Sequence, residues 1–79
     1  MTAIEEQRLN SVAAALVIGA KEHGTPNGFA PSELIEYGCV LGKMAIGRVA
    51  RNYAAELNTE LAKSGYQMRY TQNCRFEVT

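Results

Sequence analysis

The sequence is poor in the residues from which most catalytic and metal sites are built. It has no aspartate, no tryptophan, one histidine (His23) and two cysteines, Cys39 and Cys74. None of these stand at the close spacing typical of zinc sites, and no nucleophile motif or phosphate-binding glycine loop occurs. We therefore expect no metal, no cofactor and no catalysis. The cysteines are interpreted as buried free thiols, with a disulfide as the less favoured alternative.

The chain also lacks an apolar run close to the roughly 20 residues that span a bilayer. Its first residues, 1–6, lack the positive charge that begins a signal peptide. We therefore expect a cytoplasmic protein with no membrane contact. A sequence of 79 residues predicts a single domain, residues 1–79, with a core small enough that a homodimer would add to its stability.

Local signals divide the chain into three helices and a hairpin, an α+β fold. Thr2 and Glu5 have the spacing of a capping box at the start of the first helix, and Gly24 suits its end. Pro31 fits the first position of the second helix, and period-two alternation follows the third helix. The helices are predicted at 2–23, 31–37 and 46–64, and the strands at 66–71 and 75–79.

The glycine-rich segment 38–47 is either a turn or the middle of a single long helix. A helix of roughly 33 residues would be about 50 Å long, whereas a domain of this size has a radius of gyration of about 12 Å. The apolar periodicity also changes between Leu41 and Ile46. Both arguments favour a turn, and the continuous helix of a dimer is the alternative.

The register of the hairpin depends on which three residues form its loop. A loop at 72–74 pairs Met68 with Val78, Arg69 with Glu77 and Tyr70 with Phe76. A loop at 71–73 would place Arg69 opposite Arg75, a like-charge pair, and is disfavoured. The first loop is therefore predicted, with Asn73 as the residue of positive φ.

The order of helix, short extended segment, short helix, turn, longer helix and hairpin resembles a winged helix-turn-helix domain. Residues 30–38 are similar to the positioning helix and its glycine turn. Residues 46–61, closed by Lys63-Ser64-Gly65, are similar to a recognition helix that runs into a wing. The segment 39–45 is longer and more apolar than the turn of three or four residues usual in this family. The resemblance implies a DNA-binding protein that uses its third helix and hairpin.

Side chains suited to base edges and phosphates lie on the polar face of the third helix. The candidate nucleic-acid-binding residues are Lys43, Arg48, Arg51, Asn52, Thr59, Arg69 and Arg75. The resemblance implies that Arg48, Arg51 and Asn52 enter the major groove. It also implies that Arg69 or Arg75 on the hairpin contacts the phosphate backbone or the minor groove, and that Lys43, in the turn before the third helix, contacts phosphate. The alternative is an ordinary solvated helix face.

A net charge of zero is the main objection to nucleic-acid binding, but the charge is distributed unevenly. Residues 1–39 carry five glutamates and two cations, a net charge of −3, whereas residues 40–79 carry six cations and three glutamates, a net charge of +3. The basic half contains the predicted DNA-reading elements. The sequence therefore predicts a small regulator or accessory protein that binds double-stranded DNA.

A second function is suggested by the first helix, which is apolar nearly all round between Val12 and Ile18. Ile4, Ala15 and Ile18 are candidate oligomer contacts. The same features favour a protein-interaction module, such as a phage- or mobile-element-encoded inhibitor or adaptor that masks the surface of a host protein. Glu60 falls on the apolar side of the third helix, and neither function accounts for it.

Overall fold

The computed structural model describes all residues of the chain, Met1 to Thr79. It has four helices and a C-terminal two-stranded antiparallel hairpin, which confirms the α+β class with one helix more than expected. The elements are α1 (Ala3–His23), α2 (Pro31–Glu36), α3 (Lys43–Asn52), α4 (Ala54–Ala62), β1 (Met68–Tyr70) and β2 (Phe76–Val78). None of the helices combines the length and the apolar character that a membrane span requires.

α1 is the helix around which the other three helices pack. It begins with the predicted capping box: the Thr2 hydroxyl accepts a hydrogen bond from the Glu5 amide (3.2 Å), and the Glu5 carboxylate accepts one from the Thr2 amide (2.9 Å). Leu9, Val12, Ala13, Leu16 and Ala20 share one arc of a helical wheel, and all five are buried. Helical periodicity therefore accounts for this core face of α1, although Ala15, outside that arc, is buried as well.

The segment between α2 and α3 is a turn, as favoured over a continuous helix. Gly38 leaves the helical conformation with φ 102°, and Gly42, in an extended conformation, is the residue that precedes α3. The Gly42 carbonyl accepts the first hydrogen bond of α3, from the amide of Ile46 (3.0 Å). α3 therefore begins at Lys43, three residues before the predicted start, and Lys43 lies on a helix rather than in the turn.

The predicted third helix is interrupted at Tyr53, where φ is −128° and ψ is 35°. Neither glycine nor proline lies nearby in the sequence to mark this break. The Tyr53 hydroxyl instead donates a hydrogen bond to the Glu5 carboxylate on α1. An unbroken helix from Lys43 to Ala62 would be about 30 Å long. The break lets its two halves, α3 and α4, both pack against α1.

The hairpin has the predicted register. Met68 pairs with Val78, Arg69 with Glu77 and Tyr70 with Phe76. The residue of positive φ is Cys74 (φ 59°) and not Asn73 as expected. The Cys74 amide donates to the Thr71 carbonyl (3.0 Å) and closes a four-residue turn. In a three-residue hairpin loop, the residue that follows the two central positions of the turn adopts the left-handed conformation. Here that residue is Cys74.

Phe29 forms a single-residue antiparallel bridge to β2 of the hairpin. Its amide donates to the Phe76 carbonyl (2.8 Å), and the Phe76 amide donates to the Phe29 carbonyl (2.7 Å). The predicted extended segment before Pro31 is therefore one residue bridged to β2. Both rings are buried in the core, so this bridge fixes the hairpin against the turn between α1 and α2.

The two cysteines have different surroundings and are both free thiols. Cys39 is buried as expected, and the Ser11 hydroxyl lies 3.6 Å from its sulfur. Cys74 is exposed in the hairpin loop, so the interpretation of both cysteines as buried is wrong for Cys74. The reason is its loop position, because the strand alternation that buries Phe76 and Val78 does not extend to residue 74.

Candidate nucleic-acid interface

The exposed side of α3 carries three cations and no acidic side chain. We define the basic face of α3 as Lys43, Arg48, Arg51 and Asn52, all of which are exposed, with Met44 (76% exposed) among them. α3 contains no acidic residue, and none of its three cations forms an ion pair. The opposite side of α3 is buried through Ile46, Val49 and Ala50. Core packing therefore holds all of these polar side chains outward.

A groove of about 410 Å³ runs along one edge of this face, between the start of α2, α3 and the hairpin. Lys43 and Arg51 line it together with Tyr70, and the Arg51 guanidinium lies 6.0 Å from the centre of the Tyr70 ring. Burial raises the pKa of the Tyr70 phenol, and the neighbouring Cys74 thiol raises this pKa further. The Tyr70 hydroxyl therefore stays neutral beside the two cations.

Gly47 lies on the groove side of α3 and allows the hairpin to approach this helix closely. A Cβ atom at this position would lie 3.3 Å from the Tyr70 hydroxyl oxygen and 3.4 Å from a guanidinium nitrogen of Arg51. The first distance is tighter than ordinary van der Waals contact, and the second is at its lower limit. The missing side chain therefore leaves the space in which Arg51 lies against the hairpin.

A smaller cleft of about 140 Å³ borders the other edge of the face, between α3 and the start of α1. Arg48 and Asn52 line this cleft with Arg8 and Glu5. Hydrogen bonds from the backbone and hydroxyl of Thr2 lower the pKa of Glu5, and the charge of Arg8 contributes to this shift. The ionised carboxylate of Glu5, which also accepts a hydrogen bond from the Tyr53 hydroxyl, therefore lies at the edge of the basic face.

The two hairpin arginines do not extend the basic face. Arg69 donates two hydrogen bonds to one carboxylate oxygen of Glu77, from Nε (3.0 Å) and from Nη2 (2.6 Å). Arg75 donates to the Asn27 carbonyl (2.8 Å) and lies 3.8 Å from the Glu33 carboxylate. Each hairpin arginine already has an acidic partner within the protein, and its role at phosphate stays a prediction.

Thr59 is also separated from the basic face. In an unbroken helix Thr59 would lie on the same side as Asn52, but the break at Tyr53 places it on α4. Its hydroxyl donates to the Ala55 carbonyl one turn earlier (3.1 Å). It lines a groove that includes Glu56 and Glu60. The structure therefore brings together four of the seven candidate residues on α3 and places Thr59, Arg69 and Arg75 on other elements.

Of the three candidate oligomer contacts, two are exposed and one is buried. Ile4 (63% exposed) and Ile18 (39% exposed) lie at the surface, whereas Ala15 is 1% exposed. Ser11, one turn before Ala15, accepts a hydrogen bond from the Val40 amide (3.1 Å). The linker between α2 and α3 therefore covers this side of α1, and Ala15 belongs to the core rather than to a contact surface.

Sequence reasoning missed the polar residue that joins α4 to the hairpin. The Asn58 side chain accepts a hydrogen bond from the Met68 amide (2.7 Å) and donates one to the Met68 carbonyl (3.1 Å). No local signal marks this pairing, because it joins a helix to a strand ten residues away. The contact fixes the hairpin relative to α4.

No arrangement of three or more histidine, cysteine or acidic side chains suited to a metal ion occurs. Comparison of the chain with models of protein families, with curated proteins and with solved structures finds no match. A function for this protein therefore has to be inferred from its fold class and from the basic face of α3.

Proposed function

We propose that this protein binds double-stranded DNA through the basic face of α3 and acts as a small regulator or accessory factor without catalytic activity. The observation that carries the proposal is the presence of three cations, Lys43, Arg48 and Arg51, on one exposed helix that contains no acidic residue. Unpaired cations on one surface attract the phosphate backbone and release its counterions on binding.

The shape of this face also suits a groove of the duplex. A single helix with its side chains directed outward fits the major groove, where arginine recognises guanine and asparagine recognises adenine. Lys43 at the start of α3 is suited to a phosphate contact. The proposal also draws on the resemblance of the element order to a winged helix-turn-helix domain. In that order the single residue Phe29, bridged to β2, lies between α1 and α2. In this proposal the hairpin supports α3 and does not read DNA itself.

The salt dependence of duplex binding tests the proposal. If each of the three cations neutralises about one phosphate charge, whether or not it also contacts a base, binding weakens roughly fortyfold between about 50 and 200 mM salt. The reason is that the logarithm of affinity falls by about 0.9 per neutralised phosphate for each tenfold rise in salt. Arg48→Ala with Arg51→Ala should weaken binding at low salt and reduce the salt effect to about three- to fourfold. Fluorescence anisotropy of a labelled duplex measures both quantities.

A matched control removes the same charge elsewhere. Lys21 and Lys63 are exposed cations outside the basic face, so Lys21→Ala with Lys63→Ala changes the net charge equally and should leave the salt dependence of binding unchanged. If the Arg48/Arg51 variant binds duplex DNA as tightly as the wild type at low salt, α3 is not the DNA-binding element and the proposal is wrong.

A further inference from the structure

A second surface lies along the seam between α1 and α4 and is distinct from the basic face of α3. Two adjoining cavities of about 460 Å³ and 410 Å³ share Asn10, Glu60 and Lys63, so they form one continuous channel, which we call the α1/α4 groove. None of its lining residues lines either cavity beside α3. The two surfaces can therefore be occupied independently.

The floor of the α1/α4 groove is apolar. Its accessible part is formed by one side of α1 through Ala14 and Ile18, which are exposed, and Val17, which is half-buried, whereas Leu9 and Ala13 at its base belong to the buried core face. The small side chain of Ala14 lets an occupant approach the helix backbone. From Glu6 to Ile18 the helix rises about 18 Å, which is the length of a partner helix of about 12 residues.

The walls of the groove are acidic. Glu6 lies on the α1 side, and Glu56 and Glu60 lie on the α4 side. Lys63, the one cationic side chain among the lining residues, is bound to Glu60 at 2.6 Å, and the amino group of Met1 is the other positive charge. The three glutamates therefore still leave the groove with an excess of negative charge. Glu60, which the sequence patterns do not explain, is thus a wall residue of this groove.

We infer that the α1/α4 groove binds a basic amphipathic helix of another protein, with its apolar stripe on the floor and its lysines or arginines against the three glutamates. The length, the apolar floor and the charge of the groove all match such a helix. Nucleic acid does not fit, because its phosphates would meet carboxylates.

A second copy of the chain is a poorer match. Two such grooves placed face to face would bring like charges together. The chain's own basic helix, α3, offers only Met44 as an exposed apolar side chain, which is too little to cover an apolar floor of this length.

The probe for this inference is a fluorescein-labelled helical peptide of about 15 residues, built from leucine and lysine with the leucines on one stripe. Its anisotropy is measured with the full-length protein, and a leucine/glutamate peptide of the same pattern serves as the negative peptide. Glu56→Gln with Glu60→Gln should weaken binding about fivefold. Ala14→Lys, at an exposed helical position on the floor, should abolish binding without unfolding the chain.

The matched control is Glu22→Gln with Glu36→Gln, which removes two exposed carboxylates outside the groove and should leave binding unchanged. Amide chemical-shift changes caused by the peptide should lie on α1 and α4. If the Glu56/Glu60 and Glu22/Glu36 variants weaken peptide binding equally, or if the amide shift changes lie outside α1 and α4, the peptide is held by general charge attraction and the inference is overturned. A dimer that Ala14→Lys converts to a monomer would overturn it too, since a second copy would then occupy the groove. Arg48→Ala with Arg51→Ala leaves this groove intact, so failure of DNA binding does not affect the result.

Discussion

The bridge between Phe29 and Phe76 makes Gly28 the position at which one added methyl group should destabilise the fold most clearly. Gly28 has φ 63°, and a Cβ atom there would lie 2.5 Å from the backbone carbonyl oxygen of Phe76. The obstacle is backbone and not the end of a flexible side chain. Relief of this clash requires β2 to move away from the turn between α1 and α2.

The expected loss of stability has two parts. An alanine held in the left-handed conformation costs about 1–2 kcal/mol. Movement of β2 also lengthens the hydrogen bond from the Phe29 amide to the Phe76 carbonyl, now 2.8 Å, and loss of that bond costs about 1 kcal/mol. Gly28→Ala should therefore lower the free energy of unfolding by about 2–3 kcal/mol, out of about 4–12 kcal/mol for a chain of this length.

Urea titration followed by circular dichroism measures this change, and Gly65→Ala is the matched control. Gly65 also has positive φ, 82°, but no atom lies within 4 Å of its added Cβ. It should therefore lose only the conformational part, about 1–2 kcal/mol. If Gly28→Ala costs no more than Gly65→Ala, the close approach of the two backbone segments does not contribute to stability and the reasoning is refuted.

Three further outcomes follow from individual contacts. Asn58→Ala removes both hydrogen bonds to the Met68 backbone and should lower the free energy of unfolding by about 1–3 kcal/mol in urea titration; an unchanged midpoint would contradict this. Because the folded-state pKa of Glu5 lies below its ordinary value of 4.5, its contribution to stability is present above pH 4.5 and is lost as pH falls through the lowered pKa. The melting temperature should therefore fall less between pH 6 and pH 3 in Glu5→Gln than in the wild type, and equal falls would argue against this role. Arg69→Ala breaks an exposed ion pair and should cost less than about 1 kcal/mol, with duplex binding unchanged; weaker duplex binding in anisotropy would return Arg69 to the interface.

Local sequence signals located most of the elements and the hairpin register correctly. The capping box at Thr2, the proline at the start of α2 and the alternation after Gly65 each act through a few neighbouring residues, so they can be read without the rest of the chain. The pairing of Arg69 with Glu77 was predicted because the alternative three-residue loop would place Arg69 opposite Arg75, a like-charge pair. In the structure Arg69 is bound to Glu77.

The same local signals predicted only part of the candidate site. Lys43, Arg48, Arg51 and Asn52 share a face because they lie on one uninterrupted helix, and helical periodicity predicts this for Arg48, Arg51 and Asn52. Thr59 was wrongly grouped with them, because a helical wheel assumes that the helix continues through Tyr53.

The sequence by itself determined the α+β class, the buried side of α1, the hairpin register and the basic character of α3, because each follows from residues close together in the chain. Only the tertiary structure decided the break at Tyr53, the bonds from Asn58 to β1 and the α1/α4 groove with Glu60 on its wall. These features join segments distant in sequence. They depend on how the helices pack around α1, which no local pattern encodes.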